Sequence, residues 1–370
     1  MRFLLYGANG YTGRLIADVA KGRGLAPVLA GRREEAVRPI AERLGLEWRA
    51  FALDDRGALD RAVAELKTVL LAAGPFSHTS RPVVDAVLAA GKGAAYLDIT
   101  GEVEVFEAVL ERDAEARERG AVLLPGVGFD VVPTDSLAVA LKTALPSATR
   151  LELAIAAIGS PSRGTARTSL ERLPRGGAVR QGGRLVPEPF AARVRTIPFR
   201  DRPRVAASIP WGDLATAYRS TGIPDIVVYA VIGRRAARLL PWVRPLLPLA
   251  GLAPVQRGLG WLVDRTARGP EEAEVRSGRS QVWGRVSDAR GRAVEGTATT
   301  PEGYRHTADA SVECARRVGG GAVAPGAWTP ALAFGWRFLR ELEDCDLDVP
   351  GLDGVGDGGP VASRAATPGK

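Results

Sequence analysis

The chain has 370 residues, 46% hydrophobic and 25% charged, with a net charge of +8; this is an ordinary globular composition with room for about two domains, each with its own core. Two cysteines and two histidines exclude a disulfide framework and argue against any metal centre. The positive charge sits on 45 arginines, against lysines at 21, 67, 92, 142 and 370 only. The arginines are scattered, so nucleic acid is not the expected partner, and an anionic substrate or anionic lipid surface suits the excess better. A reducing, cytoplasmic setting fits, and no leader is expected because the chain opens straight into its first strand.

Phe3-Leu-Leu-Tyr6 reads as a short buried strand. Glycines follow at 7, 10 and 13, and then a helical pattern from Arg14 with Leu15, Ile16 and Val19 on one face. Strand, glycine turn and helix form the unit that holds a dinucleotide pyrophosphate. Gly7 permits the turn, Gly10 admits the phosphates, and Gly13 lets the helix pack close to the strand. The helix start offers unpaired N–H groups and partial positive charge to the anion. Asn9, Tyr11 and Thr12 complete the loop, whose spacing is G-x-x-G-x-x-G because Asn9 stands where a glycine is common. The plainer reading is a tight strand-to-helix turn.

Pro27–Ala30 is the second predicted strand, ending in Gly31-Arg32-Arg33. NAD-specific proteins carry an acid about here for the ribose 2′-hydroxyl; this chain has none before Glu34. Arg32 and Arg33 suit a 2′-phosphate by charge and by their forked donors, so NADP(H) is the expected cofactor. Alternatively the two arginines merely open a charged helix with Glu34 and Glu35. A third strand, Glu47–Leu53, ends at Asp54, which either accepts from the adenine amino group or caps the helix starting near Arg56. The fourth, Lys67–Ala73, runs into Gly74-Pro75-Phe76 at the sheet's carboxyl edge, where ligands lie in such sheets. Ala73 and Gly74 allow close backbone approach, and Phe76 either covers the nicotinamide or is buried in its loop. A helix through Ala90, a strand Gly93–Asp98, one long helix over 103–119 and a strand Ala121–Leu124 follow, ending in Pro125–Asp130. This alternation predicts a doubly wound parallel sheet of Rossmann type over 1–130.

From 131 to 315 the pattern changes to that of an α+β domain with a mixed or antiparallel sheet, serving substrate binding or dimerisation. Strands are expected at Thr149–Ile158, 193–199, 204–209 and Ile226–Ile232, with a short helix at 165–173 and a hairpin of Ser280–Asp288 with Ala293–Thr300. The stretch 239–263 is apolar but broken by prolines 241, 245, 248 and 254 and by Arg244 and Arg257, which excludes a membrane-spanning helix. It is a peripheral lipid contact, a lid over an apolar substrate, or a homodimer surface. Tyr304 starts a helix to about Arg317, Thr329–Leu342 reads as a final helix within the segment 316–348, and 349–370 is Gly/Pro/Ala/Asp-rich and reads as a disordered tail.

Several phrases carry a resemblance: Gly7–Gly13, Gly74-Pro75-Phe76, Tyr96-Leu-Asp98 with Gly101-Glu102, Pro125–Asp130 with Pro133-Thr-Asp135, and Thr329-Pro-Ala331 with Phe334-Gly335. Together the sequence resembles the saccharopine dehydrogenase-like oxidoreductases, and within them the short members called trans-acting enoyl reductases. The resemblance implies a mixed sheet that covers the cofactor and a last helix returning to the nucleotide domain. It also implies hydride transfer either to an enoyl group on a small or carrier-bound acyl substrate, or to a C=N bond between amino-acid-derived partners. No catalytic constellation announces itself in the residues. Tyr11, Asp130, Tyr304 and His306 are the candidate proton donors or orienters, each with a plainer structural role open to it. A non-catalytic, membrane-peripheral NADP-binding scaffold is the reading from another class.

Overall fold

Seven parallel strands make the sheet of the first half. The structure, a computed structural model, describes residues 1–157, 161–266 and 269–352. Its contacts divide the chain into two units: 1–132 with 304–338, and 133–303 with the segment that starts at Leu339. The helix after 303 therefore belongs with the first unit, which moves the expected boundary at 315 back by a dozen residues.

In the first unit the strands are β1 (Leu4–Tyr6), β2 (Val28–Gly31), β3 (Trp48–Ala50), β4 (Thr68–Leu71), β5 (Ala95–Asp98), β6 (Val122–Leu124) and a late strand, Gly326–Ala327. Every pairing is parallel, in the order β3-β2-β1-β4-β5-β6 followed by Gly326–Ala327. This is the doubly wound order, which reverses between β1 and β4. The strands are short and nearly all buried, as apolar runs covered by helices on both faces must be. The helix Tyr11–Gly22 buries Gly13, Ile16, Ala17 and Ala20. The expected Leu15 and Val19 are only half-buried; small residues let the helix axis approach the sheet, and the larger ones are displaced to its flanks.

Two expected helices are broken. The stretch 103–119 forms Val103–Leu110 and Asp113–Arg119. Between them Arg112 turns to Asp85, and the second helix is re-aimed so that Asp113 accepts from the Ala327 amide at 2.8 Å, fixing the last strand. Thr329–Leu342 splits into Pro330–Phe334 and Phe338–Glu341 at Gly335, whose φ of +81° ends the first piece. What returns to the nucleotide sheet is the helix Gly303–Gly319 and the strand Gly326–Ala327, not one terminal helix.

The second unit holds β7 (Arg150–Ala156), β8 (Gly177–Gln181), β9 (Arg184–Glu188), β10 (Val194–Pro198), β11 (Pro203–Ser208), β12 (Asp225–Val231), β13 (Arg279–Ser287), β14 (Ala293–Pro301) and a final strand, Asp346–Asp348. They form one mixed sheet in the order β10-β11-β12-β7-β13-β14 and then Asp346–Asp348, with the β8–β9 hairpin attached to β12. β7 and β12 run parallel, and the other pairs are antiparallel. One face buries Trp283, Phe199, Ile197, Val227 and Tyr229. On the other, Gly284 leaves room for Leu141 and Leu137 of the helix Val132–Ala144; a Cβ on Gly284 would lie 2.7 Å from the first. The expected tail at 349–370 starts later than foreseen, since Val349 and Leu352 are buried. Residues 353–370, and Ile158 of the expected seventh strand, lie outside the described residues.

Candidate functional site

The carboxyl ends of the parallel strands gather nearly all the singled-out residues of the first unit. After β1 the chain turns at Gly7, with φ of +93° and its amide donating to the Ala30 carbonyl at 2.8 Å. A Cβ there would stand 2.7 Å from the Ala72 carbonyl carbon and the Ala73 nitrogen, so Gly7 is where β1 and β4 meet, at the reversal of strand order. A Cβ on Gly13 would collide with the Gly7 carbonyl oxygen and lie 2.9 Å from Ala8 Cα. Gly10 is exposed and extended, and as the N-cap of the helix Tyr11–Gly22 it contributes no side-chain hydrogen bond of its own. The loop thus sets a helix N-terminus at the switch point of an open α/β sheet, the place where such folds take phosphate. Asn9 folds over Gly31, with Oδ1 3.0 Å from where a Cβ would be, and its carbonyl accepts from Arg14 Nε at 3.2 Å. Tyr11 and Thr12 are half-buried in the first turn.

The two arginines after β2 separate. Arg33 precedes the helix Glu34–Leu44 and pairs with Glu35 at 3.7 Å, so for it the charged-helix reading holds. Arg32 is exposed and makes no ion pair among the described residues. It lies close enough to the buried Tyr6 to act on it by charge, as does Asp54. Burial, partly offset by Arg32, pushes the Tyr6 hydroxyl up to about 12, and it donates to the Phe51 carbonyl at 2.8 Å. Asp54 is exposed, and it is not the helix cap: Asp55 takes that role, its Oδ1 accepting from the Ala58 amide at 3.0 Å.

After β4, Ala73 and Gly74 lead into Pro75 and the helix Phe76–Ala90. The Phe76 ring folds back to 3.5 Å from the point a Gly74 Cβ would occupy. Two carboxylates that sequence reasoning had noted only as parts of phrases hold this edge together. Glu102 is buried and accepts from the Phe76 amide at 2.8 Å and the Ser77 amide at 3.1 Å, capping that helix from 25 residues away. Asp98, wholly buried at the end of β5, accepts from the Thr100 amide at 3.0 Å, the Gly126 amide at 2.8 Å and the Tyr96 hydroxyl. Desolvation outweighs these bonds and pushes its carboxyl up to about 6. Thr79 adds a hydroxyl to the Ala73 carbonyl at 2.6 Å.

The four candidate proton donors fall into two neighbourhoods. Tyr11 and Tyr304 meet edge to face at the glycine loop, their ring centroids 4.9 Å apart. His306 packs edge-on against Phe129 at 6.1 Å, and Thr307 accepts from the Phe129 amide at 3.0 Å. Burial drives the His306 imidazole down to about 3, so it is neutral and serves the interior of the helix Gly303–Gly319. Asp130, half-buried, sets its carboxylate against Gly101, and burial pushes it up to about 7. Among the described residues no group of acids, histidines and cysteines is arranged to hold a metal.

No protein-family model matches the chain, and no curated protein matches it. Among solved structures it is similar to apo saccharopine dehydrogenase (L-Glu forming) from Saccharomyces cerevisiae, with a TM-score of 0.62 and 14% identity over 94% of this chain and 99% of that one. Isoflavone reductase, at 20% identity, covers 34% of this chain and 48% of its own, with a TM-score of 0.29. A short-chain type dehydrogenase/reductase from Mycobacterium ulcerans, at 11% identity, covers 34% and 66%, with a TM-score of 0.28. The likeness to the yeast enzyme is one of fold, extending over both units; the other two are too slight to build on.

Proposed function

We infer that the protein is an NADP(H)-dependent oxidoreductase that delivers hydride to the C=C bond of an activated enoyl substrate, apolar and held as an acyl thioester. The observation that carries the cofactor assignment is Arg32: an exposed guanidinium with no ion pair among the described residues, one strand away from a glycine cradle that added Cβ atoms would fill. In this reading the Gly7–Gly13 loop and its helix start would hold the pyrophosphate, and Arg32 would bind the 2′-phosphate. Asp54 is left to the adenine. Glu102 keeps the Gly74–Phe76 turn in place, and the Phe76 ring shields one side of the reacting region. Asp130, protonated up to about pH 7, supplies the proton. The bound nicotinamide supplies the hydride.

An apolar enoyl acceptor is favoured by the resemblance of the phrases Gly7–Gly13, Gly74-Pro75-Phe76 and Pro125–Asp130 to the short trans-acting enoyl reductases. A C=N acceptor is the second reading, favoured by the full-length fold likeness to an enzyme named for saccharopine. The test is a titration of the protein with NADPH and with NADH, followed by reduced-nicotinamide fluorescence, in the wild type and Arg32→Ala. NADPH should bind more tightly, and the substitution should weaken NADPH alone by roughly tenfold to a hundredfold, the worth of a charged hydrogen-bonded pair. Binding of neither nucleotide would sink the oxidoreductase reading in favour of a non-catalytic scaffold. Equal losses for both nucleotides would remove Arg32 from the 2′-phosphate. Cofactor oxidation with an enoyl thioester, against oxidation with a 2-oxo acid plus an amino acid, then separates the two acceptors.

A further inference from the structure

Nothing in the cofactor assignment uses the most unusual surface of the molecule. Eight of the twelve large apolar side chains exposed among the described residues fall between 239 and 262. Trp242 is 80% exposed, Leu239 58% and Trp261 56%. The segment is built from the helix Arg234–Val243, a 3₁₀ stretch Arg244–Gly251 and the helix Ala253–Thr266. Its underside is tied into the second unit: Arg244 donates to the Ala191 carbonyl at 2.6 Å, Gln256 to the Leu170 carbonyl at 3.3 Å, and Arg167 grips Asp264 with two bonds, at 2.9 and 2.5 Å. The apolar face is therefore held outward by a fixed base.

Charge decides what can cover it. Between 234 and 266 the chain carries six arginines and one acid, and that acid, Asp264, is already engaged by Arg167. Arg235 and Arg238 stand one helical turn before Leu239 and Trp242, on the same side of the helix. Arg265 stacks on the Trp261 ring at 4.0 Å. A second copy docked through this face would pair it with itself, setting the five exposed arginines (Arg234, Arg235, Arg238, Arg257 and Arg265) against five with no free acid between them. A bilayer with anionic headgroups meets both features at once. Tryptophan rings settle at headgroup depth, and arginines beside them find phosphate. No helix among the described residues is long and apolar enough to cross a membrane, so the contact is with one leaflet's surface. We propose that the face formed by 234–266 docks the protein on an anionic phospholipid bilayer, with Trp242 and Trp261 in the interfacial layer and Arg235 and Arg238 on lipid phosphates.

The test is co-sedimentation of the full chain with phosphatidylcholine vesicles, with and without phosphatidylglycerol, at low and high salt. The chain should partition onto the anionic vesicles at least about tenfold more strongly, and salt should release it. Replacing Arg235 and Arg238 by Ala together should weaken partition by about 25-fold, near fivefold for each charge. Replacing Trp242 and Trp261 by Ala should cost on the order of tenfold. These side chains are exposed, so the melting temperature of each variant should match the wild type and keep a loss of binding distinct from misfolding. Three results would overturn the proposal: no partition onto anionic vesicles at low salt, equal partition by wild type and variants, or a solution dimer that Trp242→Ala dissociates. Vesicle binding is read without nucleotide, so its outcome is independent of the cofactor assignment.

Discussion

Replacing Asp98 by Ala tests the carboxyl edge of the nucleotide sheet more sharply than any change in the glycine loop. Asp98 is wholly buried and receives two backbone amides and a phenolic hydroxyl, tying the end of β5 to Gly126 beyond β6. Its removal leaves three buried donors without their acceptor, at about 1–2 kcal/mol each, towards the lower end of the usual range, so a loss of roughly 3–6 kcal/mol is expected. That is a large part of the 5–15 kcal/mol that holds an ordinary domain folded, by order of magnitude. The loss should also depend on pH with a definite sign. Burial raises the Asp98 carboxyl from 3.8 to about 6, so the folded protein holds that proton more tightly than the unfolded chain. The stability linked to it is complete below the unfolded value and is lost as pH rises through about 6. The full window is worth about 3 kcal/mol, of which about 1.4 kcal/mol lies above pH 5. Urea denaturation of wild type and Asp98→Ala at about pH 5 and about pH 8 should show the gap between them narrowing by that last amount. Asp130, likewise raised by burial, is present in both proteins and cancels in the difference, as do all the acids the two share. A gap below about 1 kcal/mol, or one that widens with pH, would show that the three donors do not depend on Asp98.

Other expectations follow from the same edge. Gly13→Ala sets a Cβ against backbone that cannot yield, the Gly7 carbonyl and Ala8 Cα at 2.9 Å; a loss of about 1–3 kcal/mol in thermal melts is expected, together with NADPH affinity lowered at least about tenfold because the helix start moves off the phosphates. If both stay at wild-type values, the helix does not approach β1 as closely as described. Glu102→Ala frees the Phe76 and Ser77 amides and should cost about 2–3 kcal/mol in urea, with Glu102→Gln recovering part of it; equal losses in the two would show that the carboxylate's hydrogen bonds are not what matters. With Asp130 as proton donor, kcat should fall as pH rises through about 7, where burial has placed its carboxyl. Asp130→Asn should lower kcat by roughly 10²–10⁴ and leave the remainder flat with pH. A wild-type profile flat through neutrality would remove Asp130 from the reaction.

The strands of the first unit are legible because buried parallel strands are unbroken apolar runs, and because Gly7, Gly74 and Gly126 mark where each run must stop. Their bounds come out one to three residues short at an end, as at Trp48–Ala50 within the expected Glu47–Leu53. The helix after the loop is legible as a helix but not by its buried face. Of the expected face Leu15, Ile16 and Val19 only Ile16 is buried; periodicity weighs Leu15 and Val19 by their size, whereas beside Ile16 the structure buries the small Gly13, Ala17 and Ala20. In the second unit the hairpin β8–β9 is absent from the pattern reading because β9 is largely exposed and carries Arg184 and Pro187, and because β8 buries Arg180 where an apolar residue would mark the strand. Its one signal is Gly182-Gly183, both at positive φ between two short runs. The helix Asp213–Thr221 was likewise unforeseen.

The site divides along the same line between local and long-range causes. The glycine loop and the absence of an acid after β2 are local, and a linear reading reaches them. Which of two adjacent arginines is left without an ion pair is settled by side-chain geometry and not by composition: Arg33 pairs with Glu35, and Arg32 makes no ion pair among the described residues. The same holds for Asp54 and Asp55, where one residue's difference in position decides which carboxylate caps the helix. Asp98 and Glu102 lie furthest from a linear reading. Each finds backbone donors 25 to 28 residues away, brought within reach only when parallel crossovers set neighbouring strand ends side by side. An acid in such a place costs desolvation, as the raised Asp98 carboxyl records, and is stable there because the loops it ties have no other acceptor for their amides. The phrases Tyr96-Leu-Asp98 and Gly101-Glu102 are thus determined by the turns around the proposed cofactor more than by the cofactor itself. Substitutions there should loosen the fold of this edge, whereas Arg32→Ala should touch only the nucleotide.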